Sequence, residues 1–242
     1  NTYGWFEKMP ITIILPTLNE AQNIGKLIDK IENIFKKNKY DGKIIIVDDM
    51  SEDDTSGICK QFNKKYKNII VIDRNIRDGF GKALQRGYEE TEDDILISME
   101  ADNSCDPNDI PKIVNKLNAG YDIVIASRYM KKSLTNKSII NTIISRVGNK
   151  FISFLTGIVI TDFTIAYRGV RKNITNIVKC NEKDANPFLV EFIIRAHRKG
   201  FKKITEIPTH YKDREFGVTK NKLIKAIPKT FLAVIKITIF RR

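Results

Sequence analysis

Acids recur in this chain just where apolar runs give out. Pro16-Thr17-Leu18-Asn19-Glu20 follows Ile11–Leu15, Asp48-Asp49 follows Lys43–Val47, and Glu100-Ala101-Asp102 follows Ile95–Met99. In an extended segment alternate residues point the same way, so Glu100 and Asp102 can face one ligand across Ala101. Carboxylate oxygens suit Mg2+ or Mn2+, and Mg2+ is commonly completed by water and substrate phosphates. The competing role is structural: Asp102 can cap the following turn, Asp48-Asp49 can shape an Asx-type turn, and Asp53 can cap a helix. A lone Glu-x-Asp would favour the cap. At the end of a central strand with Asp49 nearby, a cation or a ribose is the better explanation, because like charges repel unless something offsets them.

Other chemistries lack their parts. His197 and His210, the two histidines, sit in no carboxylate relay, and no serine occupies a Gly-x-Ser-x-Gly elbow. Gly79-Phe80-Gly81-Lys82 lacks the Walker spacing, and no Gly-x-Gly-x-x-Gly follows the first apolar run. These glycines are expected to let the chain pass close to a ligand and to open a helix. Cys59, Cys105 and Cys180 are distant and odd in number, so neither a disulfide framework nor a zinc site is expected, which fits a reducing compartment.

The elements that must position the acids follow from periodicity. Ile11–Leu15, Lys43–Val47, Ile69–Ile72, Ile95–Met99 and Ile123–Ala126 are continuous, β-branched runs and are predicted strands. Between them, helices are predicted around Ile24–Phe35, over Asp54–Tyr66, over Gly81–Glu90 and from about Asn108 to Asn118. That alternation predicts an α/β fold with a mostly parallel central sheet and helices on both faces. Ligands then bind at the carboxyl ends of the strands, where all three acid groups fall.

The charge is uneven. Of a formal net charge of +13, the stretch Arg195–Arg242 carries fourteen Lys and Arg against Glu206, Asp213 and Glu215, so the rest of the 242-residue chain is nearly neutral. A basic end can hold nucleic acid, an anionic membrane or a phosphorylated substrate. The segment has no interleaved surface aromatics or reader motif, which argues against nucleic acid. The late apolar stretch Phe231–Phe240 is about half of the roughly 20 residues needed to span a bilayer, so it is expected to lie on a membrane rather than cross one. The first residue is Asn1 and no signal peptide is visible, so trimmed ends are expected.

Seven stretches in order, roughly over residues 11 to 222, resemble the inverting family-two glycosyltransferases, and within them the dolichol-phosphate mannose synthase and polyprenyl-phosphate glycosyltransferase branch. They are Pro16–Glu20, Val47–Ser51, Gly81-Lys82-Ala83, Glu100-Ala101-Asp102, Ala126–Tyr129, Thr161–Thr164, and Glu206-Ile207-Pro208 with Arg214, Gly217 and Lys220. The resemblance implies a GT-A type, Rossmann-like catalytic domain over residues 1–220 and a basic amphipathic interfacial segment over 221–242. It implies a nucleotide-sugar site of Pro16, Thr17, Glu20, Asp49, Lys82, Glu100, Ala101, Asp102, Ser104 and Arg128, with Glu100 and Asp102 on Mg2+ or Mn2+. It implies acceptor-phosphate contacts from Ser145, Arg214 and Lys220, and a catalytic set of Asp102, Arg128 and Arg214. The implied partners are GDP-mannose or a UDP-sugar, dolichyl or polyprenyl phosphate, and an anionic membrane. The implied location is the cytoplasmic face, with spanning helices absent, trimmed away or supplied by a partner.

Four departures from the family pattern stand out. Glu100 replaces the usual aspartate, Ser104 stands where glutamine is common, Asn141 or Thr142 stands where an arginine precedes Ser145, and Ile165-Ala166-Tyr167 replaces a small-Gly-Phe stretch. The Gln-x-x-Arg-Trp motif of polysaccharide-forming members is absent. Glu100 also leaves room for a noncatalytic nucleotide-sugar sensor. The expected chemistry is a single in-line displacement in which a lipid phosphate, with a second pKa near ~6, is already ionised and needs no protein base.

Overall fold

The computed structural model describes residues 9–136, 138–217 and 223–240. Strands β1 (Met9–Thr17), β2 (Tyr40–Asp48), β3 (Ile69–Asp73), β4 (Ile95–Ser98) and β5 (Ile123–Ser127) coincide with the five predicted runs. Helices α1 (Ala21–Asn38), α2 (Thr55–Tyr66) and α3 (Phe80–Glu89) lie between them as expected. The fourth helix is split. Asp106 accepts the Asn108 N–H and starts a 3-10 turn over Pro107–Asp109, and only then does α4 (Ile110–Asn118) begin, with Pro111 in its first turn.

Past Ala126 the apolar spacing gave no elements, and the structure supplies a short β6 (Leu134–Thr135), α5 (Ile139–Thr156), β7 (Arg168–Arg171), α6 (Lys172–Ile177), α7 (Ala185–Arg198), β8 (Ile204–Pro208) and β9 (His210–Tyr211). The chain then forms α8 (Leu223–Ile235), with Pro228 inside it, and a π turn over Lys236–Phe240. No helix among the described residues is long and apolar enough to cross a membrane.

The main sheet runs β3-β2-β1-β4-β7-β5-β8. Every neighbouring pair is parallel except those of β7, which is antiparallel to both β4 and β5. The helices bury their apolar stripes on this sheet: Ile24, Leu27, Ile28, Ile31 and Phe35 of α1, and Ile110, Ile113, Val114 and Leu117 of α4, are all buried. Because β7 runs backwards, its first residue lies beside the end of β4, with Arg168 opposite Ser98. The loop entering β7 therefore joins the rim where β1, β2 and β4 end.

Candidate active site

The register of β1 on β2 puts Thr17 beside Asp48. The Thr17 hydroxyl donates to Asp48 at 2.9 Å, and Ser51 donates to the same carboxylate through its N–H (2.8 Å) and hydroxyl (2.5 Å). Asp48 is thus the inward acid and closes the turn, the structural role weighed for it. Asp53 likewise accepts the Thr55 N–H at the start of α2. Asp49 is also buried; Arg74 Nη1 donates to its Oδ1 at 2.6 Å and the Gly79 N–H to its Oδ2 at 3.3 Å. Burial raises the Asp49 pKa, and Arg74 partly opposes that rise. Arg74 escaped the sequence reading although it sits just past the end of β3, where the strand-end rule points.

Glu20 and Arg214 meet. Arg214 Nη2 donates to Glu20 Oε1 at 2.6 Å, and the same nitrogen lies 3.9 Å from Asp102 Oδ2. The other Glu20 oxygen accepts from Asn23 Nδ2 at 2.7 Å. Residues 212–217 strap over this corner: Lys212 N–H donates to the Ser104 carbonyl, Glu215 N–H to the Asp102 carbonyl, and Asn23 Nδ2 to the Phe216 carbonyl. Arg214, expected with Ser145 and Lys220 on the acceptor side, thus lies against Glu20 and Asp102, two carboxylates expected on the donor side. Lys220 lies outside the described residues. Ser145 sits on α5, where its carbonyl accepts from Asn149.

The ladder of β4 closes at Ser98, and a bend carries Ala101–Asn103, with Asn103 at a left-handed φ of 61°. Alternation persists through the bend, with Met99 and Ala101 buried and Glu100 and Asp102 half-buried. Asp102 Oδ1 accepts the buried Ser104 N–H at 3.0 Å, so the capping role exists for one oxygen while the other faces Arg214. Glu100 is held differently: Oε1 accepts the Ala166 N–H at 3.2 Å and Oε2 the Cys105 thiol at 3.0 Å. Burial pushes the Cys105 thiol well up, so it stays a protonated donor. Among the described residues no three His, Cys, Asp or Glu side chains form a self-sufficient metal cage.

Arg128, expected to face the sugar, is buried in a bidentate pair with Asp162: Nε and Nη2 each donate to the carboxylate at 2.8 Å, and Nη2 also to Thr164 at 2.9 Å. Burial works against both charges, but their attraction outweighs it, holding Asp162 below the usual carboxylate range and Arg128 above its own. The rings of Tyr129 and Tyr211 flank the guanidinium at 5.1 and 5.3 Å. Glu206 of β8 braces the far side, accepting from the N–H groups of Thr161 (2.8 Å) and Asp162 (3.0 Å). Arg168, wholly buried, donates to carbonyls of Phe163, Ile165 and Leu189 and so fastens the same loop. Burial lowers its pKa to about 10, so it stays charged at neutral pH.

Two expectations about α3 change. Lys82 Nζ donates to the Cys180 carbonyl at 3.0 Å, toward the 180–183 loop. Gly79, at a φ of 99°, and Gly81 do allow a close pass, but the passing partner is protein. A Cβ at either would lie 2.8 Å from a backbone oxygen, of Lys183 or Glu182 respectively.

Helix α5 carries its apolar stripe on its exposed side. Ile139, Ile140, Ile143, Val147 and Phe154 are more than half exposed, reaching 85% at Phe154. Asn149 and Ile152 anchor the helix inward, and the Phe151 ring stacks on Phe231 of α8 at 5.3 Å. A groove of about 100 Å³ between the two helices runs from Phe231 and Val234 past Ser145 and Asn149 to Thr164, the partner of Arg128. On α8, Ile227 and Leu232 add exposed apolar surface, while Ala233 and Val234 are buried. Lys229 of α8 forms an exposed pair with Asp184 at 2.6 Å.

A protein-family model described as "Glycosyl transferase family 2" matches residues 12–177. A polyprenol monophosphomannose synthase of Mycolicibacterium smegmatis is 27% identical over 220 residues, 86% of this chain and 79% of the relative. A dolichol-phosphate mannosyltransferase of Pyrococcus furiosus is 30% identical over 219 residues, 88% of this chain. An undecaprenyl-phosphate 4-deoxy-4-formamido-L-arabinose transferase of Yersinia enterocolitica is 29% identical over 221 residues, 90% of this chain. The chain spans 60% and 64% of the lengths of the last two. Among solved structures, glucosyl-3-phosphoglycerate synthase of Mycobacterium tuberculosis with Mn2+ and UDP-glucose superposes with a TM-score of 0.69 at 18% identity, over 95% of this chain and 79% of that one. That likeness establishes the GT-A fold.

Proposed function

The chain belongs to glycosyl transferase family 2, and from that membership we propose that it transfers a hexose, mannose first among candidates, from a nucleotide sugar to dolichyl or polyprenyl phosphate with inversion. The observation that carries this reading is the junction of two unlike surfaces. A rim of buried acids and arginines adjoins, through Arg128 and Thr164, a groove that opens between apolar helices. A phosphate on a long isoprenoid needs both.

In this reading Asp49 and Glu20 meet the nucleoside, and Asp102 with the substrate diphosphate holds Mg2+ or Mn2+, whose role when bound is to offset charge on the leaving group. Oxygen donors and the absence of a complete protein cage among the described residues fit a cation that keeps phosphate ligands. Arg214, already within 3.9 Å of Asp102, can leave Glu20 for a phosphate. Arg128 is held at a fixed position by Asp162 and sets the sugar side of the site. The lipid phosphate attacks in line as its own ionised nucleophile, so the protein supplies position and charge.

The α5 and α8 faces then lie against an anionic bilayer at the cytoplasmic surface, where each nearby Lys or Arg contributes on the order of 1 kcal/mol. The test is a donor panel with a short polyprenyl phosphate: GDP-mannose, UDP-glucose, UDP-N-acetylglucosamine and a 4-deoxy-4-formamido-L-arabinose donor, each with Mg2+, Mn2+ or chelator. Transfer from GDP-mannose, lost in Asp102→Asn, is expected; turnover with another donor reassigns the sugar, and transfer by Asp102→Asn at the wild-type rate sinks the site.

A further inference from the structure

We infer that Glu100 is a positioning residue and not a metal ligand: its carboxylate is a strut between the turn that carries Asp102 and the loop that carries the counter-ion of Arg128. The inference deepens the reading above and rests on Asp102 as the carboxylate that meets the cation. Both Glu100 oxygens are already committed inside the protein, Oε1 to the Ala166 N–H at 3.2 Å and Oε2 to the Cys105 thiol at 3.0 Å. Hydrogen bonds to a charged acceptor are the stronger kind, and a cation drawing on this carboxylate would compete with both.

The two donors belong to segments that frame the site. Ala166 is fastened at both ends of its residue, since its carbonyl accepts from the Ser98 hydroxyl at 2.7 Å. The loop it ends holds Asp162, which grips Arg128, and Phe163 and Ile165, whose carbonyls are held by Arg168. On the other side, Cys105 forms a backbone bridge with Tyr211, whose ring packs on the Arg128 guanidinium. The Glu100 side chain thus ties Cys105 directly to Ala166.

Side-chain length explains why glutamate serves. An aspartate here would fall short by one carbon–carbon bond, about 1.5 Å, and could not keep both donors. Asp102, by contrast, uses one oxygen on the Ser104 N–H and turns the other toward Arg214, leaving that oxygen to an incoming cation.

The test uses Mn2+ as the probe, titrated with UDP and separately with GDP, by calorimetry or electron paramagnetic resonance, on the wild type, Asp102→Asn, Glu100→Gln and Glu100→Asp. Glutamine keeps the length and an oxygen for the Ala166 N–H; aspartate keeps the charge and loses the reach. Asp102→Asn is expected to weaken Mn2+ at least about tenfold, whereas Glu100→Gln stays within about twofold. In Glu100→Asp, hydrogen exchange at the Ala166 amide should accelerate at least about tenfold, and kcat should fall with the donor KM little changed. Weakening of Mn2+ by Glu100→Gln to the level of Asp102→Asn overturns the inference, as does an unaltered Ala166 amide in Glu100→Asp. If Asp102→Asn binds Mn2+ normally, the metal reading fails by itself, while the exchange at Ala166 still decides the strut.

Discussion

The acidic rim and the α5–α8 face are completed in opposite ways. At the rim the chain supplies its own partners: Asp48 has Thr17 and Ser51, Asp49 has Arg74 and Gly79, Glu20 has Asn23 and Arg214, and Asp162 has Arg128 and Thr164. On α5 the chain leaves Ile139, Ile140, Val147 and Phe154 to the surroundings. Polar groups are satisfied by directed contacts a few ångströms long, which a single fold can provide. An apolar face of that extent is satisfied only by removal from water. The rim is thus completed from within, whereas the helix face is left apolar toward its surroundings.

That contrast can be broken, and the largest effect should come from the buried pair. Arg128→Ala leaves Asp162 uncompensated and is expected to cost about 3–5 kcal/mol in denaturant unfolding; a loss under about 1 kcal/mol would mean the rim is not self-completed. Next is Ile140→Asp with Phe154→Asp on α5. Each deletion of an inserted apolar side chain forfeits about 1.5–3 kcal/mol, so binding to acidic liposomes should fall more than about tenfold. The same pair should shift unfolding by no more than about 0.5 kcal/mol per site, because these side chains pack on little in the protein. Unchanged liposome binding would remove the helix face from the membrane reading.

Acid should separate the regions more gently. Asp162 has a folded pKa below its usual value, so its stabilising contribution is complete above the unfolded carboxylate pKa near 3.8 and is lost as pH falls through the lower folded value. Asp162→Asn should flatten that acid limb of the stability curve, while the α5 double variant should leave it intact. The smallest effect expected is from Lys229→Ala: its pair with Asp184 is exposed, and such pairs contribute about 0–1 kcal/mol.

The first half of the chain was readable because its strands are uninterrupted β-branched runs and its helices carry one-sided stripes; β1 to β5 and α1 to α3 fall where periodicity puts them. The strand ends that bring Glu20, Asp49 and Asp102 to one rim were readable for the same reason. The second half was not. β7 is only Arg168–Arg171, with a charged residue at each end, too short for periodicity to mark, while α5 has a one-sided apolar stripe that is turned outward, so its place in the fold could not be read from the pattern. Pairings across long separations were also hidden: Arg214 on Glu20 and Ala166 on Glu100 join residues 194 and 66 positions apart. The strap of residues 212–217 redirects Arg214 through backbone contacts to Ser104 and Asp102, which no side-chain pattern announces.

The single reversed strand sets a length. With β7 inserted between β4 and β5, the ends that deliver Asp102 and Arg128 stand two ladder spacings apart, roughly 10 Å. Were β5 hydrogen-bonded directly to β4, those ends would be one spacing apart, roughly 5 Å. The strand is a spacer laid into the sheet, and its width sets how far apart those two strand ends stand.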